Sequence, residues 1–156
     1  MSRVSPLISG ILFHKQFKNK IMERITLSWE NERLKLFSLW LFILFNIIFR
    51  DIHQMTLKSH LEMLLTGYYN GMEVTEAIML FGAVVVNIPI SMLLVSLFTK
   101  QSVNRRINII AGSIMPLILL TSPPTDMDDI FHLTIEILAL ISIVTTSFKW
   151  KQETKV

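Results

Sequence analysis

The sequence predicts an all-α integral membrane protein: a bundle of four membrane-spanning helices, with both termini in the cytoplasm and a short interfacial helix between spans 1 and 2. The composition is the first reason, because 51% of the 156 residues are hydrophobic and only 17% are charged, whereas a soluble domain carries about 25% charged residues. The second is that apolar residues form four runs close to the length that a helix needs to cross a bilayer. The third is that lysine and arginine collect beside alternate ends of those runs.

The first apolar run is short. It is uncharged over only 14 residues, 36–49, which gives about 21 Å of helix against a hydrocarbon core of about 30 Å. The span is therefore predicted at about 34–52, with polar residues at its edges. Beyond it, leucine and methionine mix with Lys58 and Glu62, as in a helix that lies on a membrane surface.

The other three runs are longer. They cover 22, 19 and 19 residues, at 77–98, 107–125 and 130–148. The corresponding spans are predicted at about 75–98, 106–124 and 130–149. Glu136 is the only formal charge in the last run. One transmembrane domain is thus expected over 34–150.

Two further segments flank this domain. Residues 1–33 are basic and partly amphipathic, and residues 151–156 form a polar tail. In the first segment the lysines follow the apolar residues, which is opposite to the order in a signal peptide, so no cleavage is predicted. The sequence leaves open whether translation begins at Met1 or at Met22.

The distribution of basic residues predicts the orientation. The translocation machinery retains lysine and arginine in short loops on the cytoplasmic side. Thirteen of these residues flank one side of the runs, against two on the other. The thirteen are Arg3, Lys15, Lys18, Lys20, Arg24, Arg33, Lys35, Lys100, Arg105, Arg106, Lys149, Lys151 and Lys155, and the two are Arg50 and Lys58. Both termini are therefore predicted in the cytoplasm.

Polar side chains at membrane depth form the candidate functional cluster. Each ionisable group there costs at least about 2.5 kcal/mol at the helix centre and needs a partner or a purpose. With the predicted orientation six of them gather in the outer half of the bundle: Asn46, Arg50, Asp51, Glu76, His132 and Glu136. Asn87 extends this cluster toward mid-membrane. Helical spacing places Glu76 on the same face as Asn87, and His132 on that of Glu136. Arg50 is expected to pair with Glu136, with Glu76, or with both.

A second polar group is predicted to anchor the cytoplasmic end of the third span through lipid phosphates. It consists of Asn104, Arg105, Arg106 and Asn108. Nearby, Gly112 lies between Ala111 and Ser113, and small residues of this kind let two helices approach closely.

Several classes of site are excluded or unsupported. The chain has no cysteine, which removes disulfides, thiolate metal sites and cysteine nucleophiles. No phosphate-binding glycine loop, nucleophile elbow or His-Glu-x-x-His pair is present. His53 and His60 lack the usual company of metal ligands. No metal, cofactor, catalytic residue or nucleic-acid partner is therefore predicted.

Four stretches carry a family resemblance: LFSLWLFILFNIIFRDI, IPISMLLVSL, NRRINIIAG and TIEILALISIV. They resemble an uncharacterised family of small bacterial four-span membrane proteins and, more loosely, DoxX-like four-helix proteins, over residues 33–150. The most specific part is Asn104, Arg105, Asn108 and Gly112. The resemblance implies the four-helix architecture and a bacterial inner membrane. It also implies an acidic residue where this chain has Asn87, whose amide does not titrate.

The function that these observations favour is a structural or accessory membrane component, which packs with copies of itself or with other membrane proteins. An alternative is a small transporter or channel subunit that uses the outer carboxylates to handle protons or anions. A third is a lipid-modifying enzyme with His132 and Glu136 as base and acid. The sequence fixes neither the oligomeric state nor a substrate.

Overall fold

The computed structural model describes residues 6–69, 71–121, 124 and 126–150, and the predicted polar tail at 151–156 lies outside them. The described chain is mostly helical, as predicted, with one small hairpin. Its elements are α1 (Pro6–Gln54), α2 (Lys58–Leu65), β1 (Tyr68–Tyr69), β2 (Met72–Glu73), α3 (Glu76–Phe98), α4 (Gln101–Leu119) and α5 (Met127–Lys149).

Within the described residues, three helical stretches are long and apolar enough to cross a membrane. They are Asn31–Gln54 within α1, Glu76–Phe98 and Met127–Lys149. The first belongs to a helix of 49 residues, so the predicted basic segment and the first span form one continuous helix from Pro6 onward. The short apolar run at 36–49 thus becomes a span of 24 residues through its polar ends.

Helix α4 lies closer to the amino terminus than the span predicted at 106–124. It begins at Gln101 and ends at Leu119. Its end has a local cause, because the following sequence is Thr121-Ser122-Pro123-Pro124. Proline lacks a backbone N–H and disfavours helical geometry in the residue before it. Of the five residues gained at the other end, 101–105, all but Val103 are polar or basic, and they bring Asn104 inside the helix.

Helix α2 occurs where the interfacial helix was predicted, and none of its residues is buried. The sequence TGYYNG, 66–71, follows it and contributes a two-stranded antiparallel hairpin in which Tyr68 pairs with Glu73. Gly67 and Gly71 have φ angles of 78° and 80°. Glycine adopts that left-handed geometry without the steric cost of a Cβ atom.

The four long helices pack so that α1 contacts α3 and α5, while α4 contacts α5 and α3. Their shared core is apolar and includes Leu36, Trp40 and Ile43 of α1, Met115 of α4, and Leu140 and Ile143 of α5, all fully buried. The α1 positions recur at three- and four-residue intervals, which places them on one helix face. Each pair of sequence-adjacent long helices is therefore in contact, and the last helix, α5, also packs against the first, α1.

Gly112 brings α4 and α5 close together, as the sequence predicted. A Cβ atom at this position would lie 2.9 Å from a Val144 methyl carbon and 3.3 Å from one of Ile143. Real Cβ atoms essentially never approach closer than 3.0 Å. The absence of a side chain at Gly112 thus sets the spacing of these helices.

Candidate functional site

Polar side chains of α1 and α5 meet at the end of the bundle where α1 stops and α5 begins. We call this group the α1/α5 cluster. It contains Asn46, Arg50, Asp51, His53 and Gln54 from α1, and Asp128, Asp129, His132 and Glu136 from α5. The spacing of these residues on both helices corresponds to one helical face and its edge. Arg50 and Glu136 form its deepest pair.

The predicted pair between Arg50 and Glu136 is present. The Arg50 Nη1 atom lies 3.6 Å from Glu136 Oε2, and the Glu136 side chain is fully buried whereas that of Arg50 is 18% exposed. Neither oxygen of Glu136 has a hydrogen-bond partner in the described structure. Its negative charge is therefore balanced mainly by one guanidinium group across a distance longer than a hydrogen bond.

Asn46 fixes the orientation of His132. Its Nδ2 atom donates to the Phe42 carbonyl at 2.9 Å, while its Oδ1 atom lies 2.9 Å from His132 Nδ1. Because the amide nitrogen donates to the Phe42 carbonyl, the amide oxygen faces the ring and accepts a hydrogen bond from the Nδ1–H group. His132 therefore directs its other ring nitrogen, Nε2, toward Asp128 Oδ1 at 3.6 Å.

The end of the cluster nearest the protein surface, which we call its mouth, lies at the first turn of α5. Asp126 caps this helix, since its Oδ1 atom accepts from the Asp129 N–H at 2.8 Å. Asp129 also accepts from Gln54 Nε2 at 2.7 Å, and Asp128 Oδ2 lies 3.0 Å from His53 Nδ1. Carboxylates are favourable at this position because the amino end of a helix carries partial positive charge.

Four members of the cluster were not predicted from the sequence: His53, Gln54, Asp128 and Asp129. A usable signal was present, because His53 and Gln54 follow Asn46 and Arg50 at the spacing of one helical face, as Asp128 and Asp129 precede His132 and Glu136. Their positions near the helix ends, where polar side chains commonly face water, gave no sign of a partner on the other helix.

A cavity of about 150 Å³ opens beside Arg50. Its walls carry Arg50, Asp51, Gln54, Tyr69, Pro124, Asp129 and Leu133. Burial, together with the nearby carboxylates of Asp129 and Asp51, raises the pKa of the Tyr69 phenol. With two carboxylates against one guanidinium, the cavity favours cations over anions.

The expected roles of Glu76 and Asn87 in this cluster are wrong. Both side chains are exposed, and Glu76 forms no ion pair with a residue that the structure describes. Helix α3 instead packs through Pro89, Met92 and Ser96. Asn87 precedes Pro89 by two residues, or about 200° around the helix, so it points away from the bundle.

A second polar network lies toward the other end of the bundle and joins α1, α4 and α3. Trp40 Nε1 donates to Asn108 Oδ1 at 2.6 Å, and Asn108 Nδ2 donates to Asn104 Oδ1 at 2.6 Å. Asn104 Nδ2 then donates to the Ser96 carbonyl at 2.7 Å and the Val95 carbonyl at 3.1 Å. We call this the Trp40 network.

Arg33 caps the carboxyl-terminal end of α3 through hydrogen bonds to backbone carbonyls. Its guanidinium donates to the carbonyls of Leu97 and Thr99 at 2.7 and 2.6 Å. The last carbonyls of a helix have no partner within the helix, and basic side chains are favourable there. Arg33 was predicted only as a positive flank of the first span, so this capping role is new.

The phosphate-anchor role predicted for Asn104 and Asn108 is wrong. Both side chains are fully buried, and a group with no exposed surface cannot contact lipid phosphates. Arg105 is partly exposed and donates to the Phe148 carbonyl at 3.3 Å. Arg106 is exposed, and anchoring by these two arginines stays a prediction.

Comparison with protein families gives a match to DUF6326, a family of unknown function, over residues 23–156. The chain belongs to DUF6326. Searches of curated proteins and of solved structures find no match. Membership agrees with the resemblance to an uncharacterised family, and the family description does not extend to the membrane or to DoxX-like proteins. The DUF6326 match includes every residue of the α1/α5 cluster and of the Trp40 network.

Proposed function

We propose that this DUF6326 member is a four-span protein of the bacterial inner membrane with both termini in the cytoplasm. In this proposal it acts as a structural or accessory component that packs with copies of itself or with another membrane protein. Three spans rest on helices of sufficient length and hydropathy. The fourth is α4, whose 19 residues give about 28 Å of helix, near the thickness of a hydrocarbon core.

The polar residues of α4 are compatible with a membrane span. Asn104 and Asn108 are buried and hydrogen-bonded within the bundle, so lipid does not meet them. Only Thr99 and Lys100 separate α3 from α4, and so short a connection makes the two helices antiparallel neighbours. An even number of spans then returns the chain to the side on which it began.

Contacts within the bundle support one basic end and one acidic end. Arg33 contacts Leu97 and Thr99, and Arg105 contacts Phe148, so the basic residues at the start of the first span, after α3 and at the end of α5 are together. Gln54 contacts Asp129 at the opposite end. The positive-inside bias places the basic end in the cytoplasm.

Single cysteines test this orientation, because the native chain has none. Ser102→Cys lies at the basic end, where Ser102 is exposed, and Met127→Cys lies at the acidic end, where Met127 is 87% exposed. A membrane-impermeant thiol reagent added to intact spheroplasts is expected to label Met127→Cys only. Inverted vesicles should give the reverse result. Labelling of both sites from the same side would contradict the four-span proposal.

We infer a packing partner from the position of Asn87. This residue lies near the middle of α3, is exposed, and among the described residues donates only to the carbonyl of Ala83 in its own helix, at 3.2 Å. In hydrocarbon its amide oxygen then lacks a donor from the described residues, whereas amides of neighbouring membrane helices pair with each other. Ala83 is exposed and lies four residues before Asn87, on the same face of α3. This small residue beside Asn87 leaves room for a second helix.

The partner is tested by measuring the mass of the protein in a mild detergent. One chain has a mass of 18.1 kDa, and we expect a multiple of that value or a complex with a second protein. Asn87→Leu is expected to shift the mass toward the single chain. Ser142→Leu is the matched control, because Ser142 is an exposed polar residue of α5 that also bonds to its own helix, at 2.9 Å.

Two results would contradict the proposed partner. One is a wild-type chain that is monomeric and copurifies with nothing. The other is an assembly that both Asn87→Leu and Ser142→Leu leave intact, or that only Ser142→Leu dissociates.

A second candidate function is a subunit that handles protons or cations. It is favoured by the buried Glu136 carboxylate, its partner Arg50 and the acidic cavity beside them. Between Glu136 and the Trp40 network, the described core contains the apolar side chains of Ile43, Leu140 and Ile143, which interrupt a polar path through the described residues. Transport would thus require an assembly, and proton flux in liposomes that Glu136→Gln abolishes would favour it.

The geometry gives no support to a lipid-modifying enzyme. His132 faces Asn46 and Asp128, whereas Glu136 faces Arg50. A base and an acid that serve one substrate must both reach its reacting atoms. These two side chains have different partners in the described structure.

A further inference from the structure

Three side chains at the mouth of the α1/α5 cluster have the arrangement of a metal site. The ring nitrogens of His53 and His132 and a carboxylate oxygen of Asp128 all lie within 4.8 Å of one another. His53 Nδ1 is 3.0 Å from Asp128 Oδ2, and His132 Nε2 is 3.6 Å from Asp128 Oδ1. We propose that His53, Asp128 and His132 bind a divalent transition-metal ion of the zinc class. This inference goes beyond the packing role proposed above and does not depend on it.

The position of Asn46 shows which nitrogen of His132 is available to a metal. The Asn46 amide oxygen accepts a hydrogen bond from the Nδ1–H group of His132, with 2.9 Å between Oδ1 and Nδ1. The neutral ring therefore has its lone pair on Nε2. That lone pair points toward the Asp128 carboxylate. Two acceptors facing each other at this distance repel unless a cation lies between them.

Asn46 also has the role of an outer-shell residue. Histidine ligands usually donate the second ring N–H to a carbonyl or a carboxylate, which fixes the tautomer and the direction of the ring. Asn46 is itself held by its bond to the Phe42 carbonyl. The His132 ring is thus positioned before any ion arrives, and only 13% of its side chain is exposed.

The distances fit a small tetrahedral ion. Zinc binds imidazole nitrogen and carboxylate oxygen at about 2.0–2.2 Å, which separates adjacent ligand atoms by about 3.3 Å. The separations of 3.0 Å from His53 Nδ1 to Asp128 Oδ2 and 3.6 Å from His132 Nε2 to Asp128 Oδ1 bracket that value, with each histidine facing a different oxygen of the carboxylate. The two imidazoles need to approach each other more closely, and His53 is free to adjust because its side chain is 65% exposed.

The donor set selects the class of ion. Two imidazoles and one carboxylate suit Zn²⁺ and its neighbours in the first transition row, whereas Mg²⁺ and Ca²⁺ prefer oxygen ligands alone. Three protein ligands leave a fourth position open, and a surface groove lined by His53, Asp126 and Asp128 reaches the site. Nearby Asp126 and Asp129 add negative charge. The bound ion is therefore expected to exchange with solution and to connect α1 to α5.

The proposal is tested with the full chain in detergent after removal of metals with a chelator. Titration with Zn²⁺ alone is expected to show saturable binding of one ion per chain by calorimetry and elemental analysis. Co²⁺ should bind in its place and give the visible absorption of a tetrahedral site. An excess of Mg²⁺ should leave both signals unchanged.

Variants identify the ligands. Asp128→Asn and His132→Ala are each expected to weaken Zn²⁺ binding at least tenfold, and Asn46→Ala about 10–100-fold, the usual range for an outer-shell partner. His60→Ala is the control, because His60 contacts Tyr69 and lies outside the triad. If a variant fails to fold, the Co²⁺ spectrum of the wild-type chain still decides.

Three results would overturn the metal site: no saturable Zn²⁺ binding by the wild-type chain, an octahedral Co²⁺ spectrum, or binding that His60→Ala weakens as much as Asp128→Asn. The mass measurement on Asn87→Leu is independent of all three. The metal site and the packing role can therefore fail separately.

Discussion

Replacing Asn108 with leucine is expected to destabilise the bundle by about 2 kcal/mol, because the change removes the central link of the Trp40 network. Leucine fills a similar volume but leaves the indole N–H of Trp40 and the side-chain oxygen of Asn104 without their partner at 2.6 Å. An unpaired buried polar group costs about 1–3 kcal/mol. Interhelical hydrogen bonds in membrane proteins average only about 0.6 kcal/mol in double-mutant cycles. We therefore expect each of the two unpaired groups to cost an amount near the lower end of its range.

The measurement is reversible unfolding of the purified chain in mixed micelles, followed by helical circular dichroism. Ser113→Leu is the matched control, because Ser113 is an exposed polar residue of the same helix and its replacement should change the unfolding free energy little. Trp40→Phe combined with Asn108→Leu removes both partners of one bond. The double variant is expected to be more stable than the sum of the single losses. Equal losses from Asn108→Leu and Ser113→Leu would show that the Trp40 network does not stabilise the bundle.

The burial of Asn104 and Asn108 between the helices could have been predicted from the sequence. The buried residues of α4 are Gln101, Asn104, Asn108, Gly112, Met115 and Leu119, which recur at three- and four-residue intervals as a core face does. The neighbouring Arg105 and Arg106 favoured an interfacial interpretation instead. A membrane bundle buries amides as well as leucines, because lipid gives no drive to bury apolar groups.

The face of α3 that packs against the other helices could not be predicted from the sequence. Its sequence is apolar all round from Ala77 to Phe98 except for Asn87 and two serines. A helix without a polar face carries no periodic signal for the side that meets the bundle. Only the packed structure shows that Pro89 and Met92 face inward. The expected alignment of Glu76 and Asn87 with the cluster failed for this reason.

Pairing between distant helices was predictable only in part. Glu136 is the only formal charge in its apolar run and Arg50 lies at the edge of another, and their predicted depths were similar, so each implied the other. His53 and Asp128 lie near the ends of their helices, where an exposed charge needs no partner. Their sequence separation of 75 residues hid the metal-site geometry that the bundle creates.

Arg50→Gln is expected to be the most damaging single change in the α1/α5 cluster. Breaking a buried ion pair costs about 3–5 kcal/mol, because the remaining charge loses its compensation in a medium of low dielectric. Glu136 is fully buried and has no hydrogen bond in the described structure, so the loss of Arg50 leaves its carboxylate without another cation. The variant should unfold at a clearly lower denaturant concentration than the wild type.

Glu136→Gln is expected to cost less than Arg50→Gln. The guanidinium that remains is 18% exposed and lines a cavity together with Asp51 and Asp129, so other carboxylates and water can compensate its charge. The double variant removes both charges and should recover part of the sum of the two losses. We expect a coupling energy above about 1 kcal/mol, beyond the 0.3–0.5 kcal/mol within which independent sites add.

The control cycle uses Lys58 and Glu62, an exposed pair whose nitrogen and oxygen atoms are 3.5 Å apart. That distance nearly equals the 3.6 Å between Arg50 and Glu136, so the two cycles differ chiefly in burial. Exposed pairs four residues apart on a helix contribute about 0.5 kcal/mol or less. The losses of unfolding free energy in the control cycle should nearly add. If the losses from Arg50→Gln and Glu136→Gln also added, Arg50 would not be the group that stabilises the buried Glu136 carboxylate. The α1/α5 cluster would then consist of separate charges rather than one connected group.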